Sequence, residues 1–250
     1  MYTFDSRIRY SECDSEGFLT MESLLDYFQD CTTFQSEDLG VGTGYLKENH
    51  KAWVLNNWQI IMDKPPKIGD QVRVGTFAYE MKGFLGYRNF VLEARDGTRL
   101  AYANSLWTYL DTDQMRPTRV PEEMIALYGM EPKLEMEYAP RKIAAPREGR
   151  TGEEILIHPY HLDTNHHVNN GQYIRMAAAF LPDAFRVHEL RAEFKKAALL
   201  GDVICPLAVQ EPGQVTVALN DRQGNSAPFF LRKHPETLVF TFTILRSRST

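Results

Sequence analysis

Nearly every side chain between Asp163 and Asn170 can exchange a proton or form a hydrogen bond. The segment holds a carboxylate, two imidazoles and three carboxamides. Asp163, Asn165 and His167 stand at every second position. A carboxylate, an amide and an imidazole are groups that acid–base chemistry uses. This spacing favours a functional site over a purely structural loop.

A loop that leads into a helix would position these side chains. Apolar residues follow at helical spacing, namely Tyr173, Ile174, Ala177, Ala178, Phe180 and Leu181. The first turn of a helix carries backbone N–H groups without partners inside the helix, and these favour negative charge. The polar segment is therefore predicted to lie where a developing anion would be stabilised.

Two other interpretations compete with a catalytic loop. Capping by Asn169 or Asn170 and a turn at Asp163 would explain only one or two of the residues. Imidazole and carboxylate ligands for zinc or iron are the other interpretation, because four histidines lie within ten residues: His158, His161, His166 and His167. Their spacing matches no known ligand pattern, so we expect no metal.

The chain contains an internal repeat. Residues 8–25 and 157–174 both read as a short strand, an Asp, a polar loop and the start of a helix. The alignment places Asp14, Glu16 and Phe18 opposite Asp163, Asn165 and His167. Because the counterpart of the imidazole is a side chain that packs, one half is predicted to be chemical and the other structural.

A second correspondence predicts the architecture. Residues 58–74 and 190–206 both read as strand, Gly-Asp turn and strand. Further strands are expected at 87–93, 100–110, 215–219 and 238–245. Each half would then be one amphipathic helix on a curved antiparallel sheet, which is an α+β layer.

A proline-rich segment separates the two halves. Residues 116–150 contain five prolines with charges between them and predict a linker. A short helix is expected within it at about Pro121 to Tyr128, since proline is tolerated in the first turn.

The composition narrows the function classes. The net charge of -5 argues against a general nucleic-acid binder. Cys13, Cys31 and Cys205 form no CxxC pair, so neither a disulfide framework nor a thiolate zinc site is indicated. No apolar run approaches the roughly 20 residues that span a bilayer, and the first residues lack the apolar stretch of a signal peptide. We expect no membrane insertion and a cytoplasmic location.

Motifs along nearly the whole chain resemble one family. They include Tyr10-x-Glu12-x-Asp14, Trp53-Val54, Asp63-x-Pro65-x-x-x-Gly69-Asp70, Ser105-Leu106-Trp107, Pro121-Glu122-Glu123 and Asp163-x-Asn165-x-His167-Val168-Asn169-Asn170-x-x-Tyr173-Ile174. The chain resembles the acyl-acyl-carrier-protein (acyl-ACP) thioesterases, which are the plant plastid enzymes and their shorter bacterial relatives. The resemblance implies a tandem double hot-dog fold, with each half a long helix wrapped by a curved antiparallel sheet. The implied domains are 1–130, which binds the acyl chain, a linker at 131–150, and 151–250, which carries the catalytic motif.

The resemblance also implies residue roles. Asp163, Asn165 and His167 match the family's catalytic Asp, Asn and His. The plant enzymes add a Glu followed by Cys before the Gly-Asp turn, and Ala197 and Ala198 stand at those positions here. Glu193 is a weak substitute candidate.

The implied reaction is hydrolysis of a fatty acyl thioester on acyl carrier protein, in fatty acid biosynthesis and without a cofactor. His167 or Asp163 would be the base, Asn165 would hold the water or the carbonyl, and backbone N–H groups would hold the oxyanion. An apolar tunnel in the first domain would take the acyl chain, with as candidates Leu24, Leu25, Phe28, Trp58, Ile60 and Met62. The alternatives are an acyl-CoA thioesterase or a non-catalytic acyl-binding protein, and both a monomer and a homodimer remain open.

Overall fold

The computed structural model describes residues 1–233. The helices are α1 (Met21–Asp38), α2 (Thr43–Glu48), α3 (Glu122–Tyr128) and α4 (Asn170–Ala178). The strands are β1 (Tyr2–Arg7), β2 (Lys51–Met62), β3 (Gln71–Lys82), β4 (Leu85–Ala94), β5 (Arg99–Asp111), β6 (Arg116–Pro117), β7 (Arg150–Thr151), β8 (Ile155–Leu156), β9 (Val187–Glu193), β10 (Val203–Glu211), β11 (Gln214–Asp221) and β12 (Ser226–Lys233).

These strands form one antiparallel sheet in the order β1-β3-β4-β5-β2-β9-β12-β11-β10-β7, with β6 beside β5 and β8 beside β10. The two halves join where β2 pairs with β9. Gln59 of β2 lies opposite Arg191 of β9, which is its own counterpart in the repeat. A local two-fold axis therefore passes through this pair, and it relates the two halves of the chain.

The helices α1 and α4 lie on the same face of the sheet and contact one another. Thr20 caps α1 by accepting the Ser23 N–H, and Asn169 caps α4 by accepting the Gly171 N–H. The helix of the second half is the shorter one, with 9 residues against 18. The first half also inserts α2, which the sequence did not predict.

The apolar core lies between these helices and the sheet. Phe28 of α1 packs against Trp58 and Phe90, with ring centroids 6.1 and 5.2 Å away.

Arg88, two residues before Phe90 on β4, is also buried in this layer. Its guanidinium donates to the Gln35 side chain on α1 and to Thr76 Oγ1 on β3. Within residues 1–233 it forms no ion pair with a carboxylate.

The linker crosses the opposite face of the sheet at the β2–β9 seam. Gln59 accepts the Ala139 N–H at 2.9 Å and donates to the Glu137 carbonyl at 3.0 Å. Arg191 donates to the Pro140 carbonyl. The two central residues of the seam thus hold the chain segment that connects the halves.

The α+β class and the hot-dog architecture are confirmed. The expected short helix is α3, and Pro121 lies directly before it. Both Gly-Asp turns form, with a φ of 86° at Gly69 and 83° at Gly201. The strand expected at 238–245 falls outside the described residues, and the domain boundaries stay a prediction. No helix within residues 1–233 is long and apolar enough to cross a bilayer.

Candidate active site

A five-residue turn places Asp163, Asn165 and His167 together. Asp163 Oδ1 accepts the backbone N–H groups of Asn165 at 2.8 Å and of His167 at 3.2 Å. The Asp163 N–H donates to the His167 carbonyl at 2.8 Å, which closes the turn. His166 takes a left-handed conformation with a φ of 61°. The carboxylate therefore shapes the turn through the backbone rather than through the His167 imidazole.

The first half contains the same turn around Asp14. Asp14 Oδ1 accepts the N–H groups of Glu16 and Phe18, both at 2.9 Å, and the Asp14 N–H donates to the Phe18 carbonyl at 2.8 Å. Gly17, with a φ of 81°, stands at the left-handed position. Since both copies use the Asp in the same way, the chemical difference between them lies at the two positions that change.

At these two positions the two copies of the turn differ in the contacts of their side chains. Asn165 and His167 are exposed to solvent and have no side-chain hydrogen bond within residues 1–233. In the first half, Glu16 is held by Arg186, and the Phe18 ring is covered by the guanidinium of Arg186 at 4.2 Å. The Asp163 turn is thus open to a substrate, whereas the turn around Asp14 is occupied by the protein's own contacts.

The first turn of α4 offers a free backbone donor at Asn170. The Gly171 N–H donates to Asn169 Oδ1 at 2.7 Å, and the Gln172 N–H to the Asn169 carbonyl at 3.0 Å. The Asn170 N–H has no acceptor among the described residues. It can hold an oxyanion at the positive end of the helix.

Ala198 anchors the loop from the side of the Gly-Asp turn. Its carbonyl accepts the Val168 N–H at 3.0 Å, and its N–H donates to the Tyr173 hydroxyl at 2.8 Å. Burial raises the pKa of Tyr173, so the hydroxyl stays protonated. A cavity of about 30 Å³, with room for about one water, lies beside Ala197 and Ala198.

Glu193 is not brought into this group. Its carboxylate accepts the Ile143 N–H of the linker at 3.3 Å and lies 3.9 Å from the Lys195 ammonium. The neighbouring Ala192 is buried, and the Phe194 ring packs against Tyr173 of α4. Because successive side chains of a strand alternate between faces, Glu193 points to the face of the sheet opposite α4.

The six candidates for the acyl-chain tunnel are all buried in one cluster between α1 and the sheet, namely Leu24, Leu25, Phe28, Trp58, Ile60 and Met62. The indole N–H of Trp58 is buried and has no partner within the described part of the chain.

His158 and His161 have structural roles. His161 Nδ1 accepts the His158 N–H at 3.0 Å and closes a short 3-10 turn. Burial lowers the pKa of His161, which favours the neutral ring. Within residues 1–233, no group of three or more potential ligands is arranged to bind a metal.

Sequence reasoning missed the contribution of α1 to this site. Gln29 accepts a hydrogen bond from the Asn170 side chain at 2.6 Å, and Asp26 lies against Gly171. Asp26 and Gln29 are separated by three positions and share one helix face. No local signal marks them, because their role depends on how α1 crosses α4.

Sequence comparison matches this chain to acyl-ACP thioesterases. The family model described as the acyl-ACP thioesterase N-terminal domain matches residues 1–128. An acyl-[acyl-carrier-protein] hydrolase from chloroplasts of Cuphea viscosissima is 22% identical over 83% of this chain and 54% of its own length. A palmitoyl-acyl carrier protein thioesterase of Arabidopsis thaliana is 28% identical over 67% of this chain and 44% of its own length. The chain spans about half the length of these curated relatives.

Solved structures share the fold over most of the chain. An acyl-ACP thioesterase from Bacteroides thetaiotaomicron superposes with a TM-score of 0.84 and 20% identity, covering 92% of this chain and 96% of the other. A 12:0-ACP thioesterase from Umbellularia californica gives a TM-score of 0.80 and 17% identity, with the same coverage.

Proposed function

The chain belongs to the acyl-ACP thioesterase family, and we propose that it hydrolyses fatty acyl thioesters of acyl carrier protein. The products are a free fatty acid and acyl carrier protein with a free thiol. One observation carries the proposal beyond family membership. The same Asp-centred turn occurs twice, and only the copy at Asp163 presents an exposed imidazole and carboxamide.

In this proposal His167 accepts a proton from water as the water oxygen attacks the thioester carbonyl carbon. The Asn170 N–H holds the resulting oxyanion, a contribution of roughly 3–4 kcal/mol per donor in comparable sites. Asn165 orients the water or the carbonyl, and Asp163 holds the turn that aims both side chains. Collapse of the intermediate breaks the C–S bond, and the proton goes to the leaving sulfur.

The acyl chain is proposed to enter the layer beneath α1, in the domain assigned to residues 1–130. The linker at 131–150 and the domain at 151–250 complete the proposed arrangement. Acyl carrier protein is the proposed partner, because the family and the curated relatives bear its name. A monomer and a homodimer are both compatible with the proposal, and a cytoplasmic location stays a prediction from the sequence.

The test is thiol release from one long acyl chain carried on acyl carrier protein and, separately, on coenzyme A. We expect the carrier-protein substrate to be hydrolysed faster. His167→Ala and Asp163→Ala should each lower turnover by about 10²–10⁴-fold. Phe18→Ala, at the position corresponding to His167, is the matched control and should retain turnover.

Each result separates one alternative. Equal or faster hydrolysis of the coenzyme A thioester would favour an acyl-CoA thioesterase. Acyl binding without thiol release would favour a non-catalytic acyl-binding protein. Near wild-type turnover in both His167→Ala and Asp163→Ala would reject the site.

The tunnel can be tested with paired substitutions. Leu25 and Ile174 are counterparts in the repeat, and both are fully buried. Leu25→Phe should shift the product profile toward shorter chains, whereas Ile174→Phe should only lower stability, by about 1–3 kcal/mol. An unchanged profile in both Leu25→Phe and Leu24→Phe would place the acyl chain elsewhere.

A further inference from the structure

Helix α1 of the first half brings a carboxylate to the first turn of α4. A Cβ added to Gly171 would lie 2.8 Å from Asp26 Oδ1 and 3.2 Å from Asn169 Oδ1. The missing side chain at Gly171 is therefore what allows Asp26 to approach the helix. Gln29, on the same face of α1, fixes the crossing through its 2.6 Å hydrogen bond to Asn170.

The corresponding contact on the other side of the two-fold axis is an ion pair. Glu22 is the counterpart of Gly171, and Arg175 is the counterpart of Asp26. Arg175 Nε lies 3.7 Å from Glu22 Oε1. Within residues 1–233, Asp26 itself has no hydrogen bond and no ion pair within 4.0 Å. The side of the axis that carries the His167 turn thus holds an uncommitted carboxylate.

We propose that Asp26 is a further catalytic residue of the His167 site, whose carboxylate binds the attacking water beside the first turn of α4. This inference rests on the proposed thioesterase function. The water donates one hydrogen bond to Asp26 and gives its other proton to His167 as its oxygen bonds to the carbonyl carbon. The proton then passes to the sulfur when the C–S bond breaks, so Asp26 ends each cycle unchanged.

Asp26 would fill a gap in the site. Ala197 and Ala198 line the cavity beside the loop, and neither has a side chain that can bind a water. Glu193 faces the linker and does not replace it. Asp26 reaches the start of α4 from the other half of the chain and adds a carboxylate to the loop without any change in fold.

The surroundings of Asp26 affect its titration. The residue is exposed as a whole, but α1 and α4 crowd the carboxylate, and this desolvation raises the pKa of Asp26 to about 6. The nearby Asp30, Glu22 and Glu12 contribute to this rise of the pKa, and Arg175 of α4 opposes it. Above that pH the ionised carboxylate accepts a strong hydrogen bond from the water, and below it the neutral acid accepts only a weaker one.

The experiment is a pH profile of kcat/KM on an acyl-ACP substrate. The wild type should lose activity as the pH falls through about 6, because Asp26 becomes protonated. Asp26→Asn should lower kcat by about 10²-fold, the low end for acid–base groups, and should make this loss of activity near pH 6 shallower. Glu22→Gln is the matched control on α1. It should keep the loss of activity seen in the wild type and move its midpoint to a slightly lower pH, because Glu22 raises the pKa of Asp26.

A double-mutant cycle tests the geometry. Gly171→Ala would displace the Asp26 carboxylate and should lower kcat in the wild type, but it should have little further effect in Asp26→Asn. Asp26→Asn with wild-type kcat and an unchanged pH profile would overturn the inference while the thioesterase function stood. Absence of thiol release in the wild type would instead reject the function itself. Thermal midpoints of all variants identify any that fail to fold.

Discussion

The two Asp-centred turns allow the structural part of the site to be measured separately from its chemical part. In each turn one carboxylate oxygen accepts two backbone N–H groups, at 2.8 and 3.2 Å in Asp163 and at 2.9 Å twice in Asp14. Asp14→Ala and Asp163→Ala therefore remove the same set of hydrogen bonds. Only Asp163→Ala removes them beneath an exposed imidazole.

The expected loss of stability is similar for both variants. A hydrogen bond contributes about 0.5–1.5 kcal/mol net, and water can replace the lost acceptor at these solvent-facing loops. Two bonds per turn give about 1–3 kcal/mol in each variant. For a chain of this length each kcal/mol shifts the thermal midpoint by about 2–4 °C.

Urea unfolding and thiol release would be measured on the same preparations, at a temperature where both variants are folded. We expect nearly equal changes in the free energy of unfolding, together with a large loss of kcat in Asp163→Ala only. If Asp14→Ala lowered kcat as much as Asp163→Ala, the assignment of chemistry to the second copy would be wrong. A stability loss confined to one variant would show that the two turns are not equivalent.

Two further substitutions test the contacts around the site. Gln35→Leu removes one acceptor of the buried Arg88 guanidinium, whose pKa desolvation already lowers to about 10, and should cost about 2–3 kcal/mol in urea unfolding. Combining it with Arg88→Met should recover most of that loss, and no recovery would refute the account of Arg88 as a buried cation without a carboxylate partner. Tyr173→Phe removes the hydroxyl that accepts the Ala198 N–H and should cost about 1–2 kcal/mol while lowering kcat through a looser loop. An unchanged kcat would show that this anchor does not position His167.

The sequence predicted features whose information is local. Asp14 and Asp163, each followed by a helix start, and the turns at Gly69 and Gly201 were recognisable because turn and cap residues determine their own backbone geometry. The repeat then predicted one helix on an antiparallel sheet in each half.

Other features depend on how distant segments meet, and no local pattern in the sequence predicts them. In the sequence, Asp26 is an ordinary polar residue of an amphipathic helix. Its position beside the first turn of α4 follows from the packing of α4 against α1. Glu193 is a weak substitute candidate by sequence, and the strand geometry turns it toward the linker. The pairing of Gln59 with Arg191 follows from the joining of two sheets, which periodicity along the chain does not encode.

The two-fold axis through Gln59 and Arg191 has a consequence for how such a site can diversify. In a dimer of identical chains every substitution is made twice, so exchanging an imidazole for a phenyl ring would remove both sites at once. Here the same relation is built within one polypeptide, and the two positions are free to differ. His167 carries an imidazole where Phe18 carries a phenyl ring, and Gly171 leaves room where Glu22 forms an ion pair. Because the two copies of the repeat lie in one polypeptide, a substitution in one copy leaves the other copy unchanged. The two copies can therefore acquire different roles within one fold.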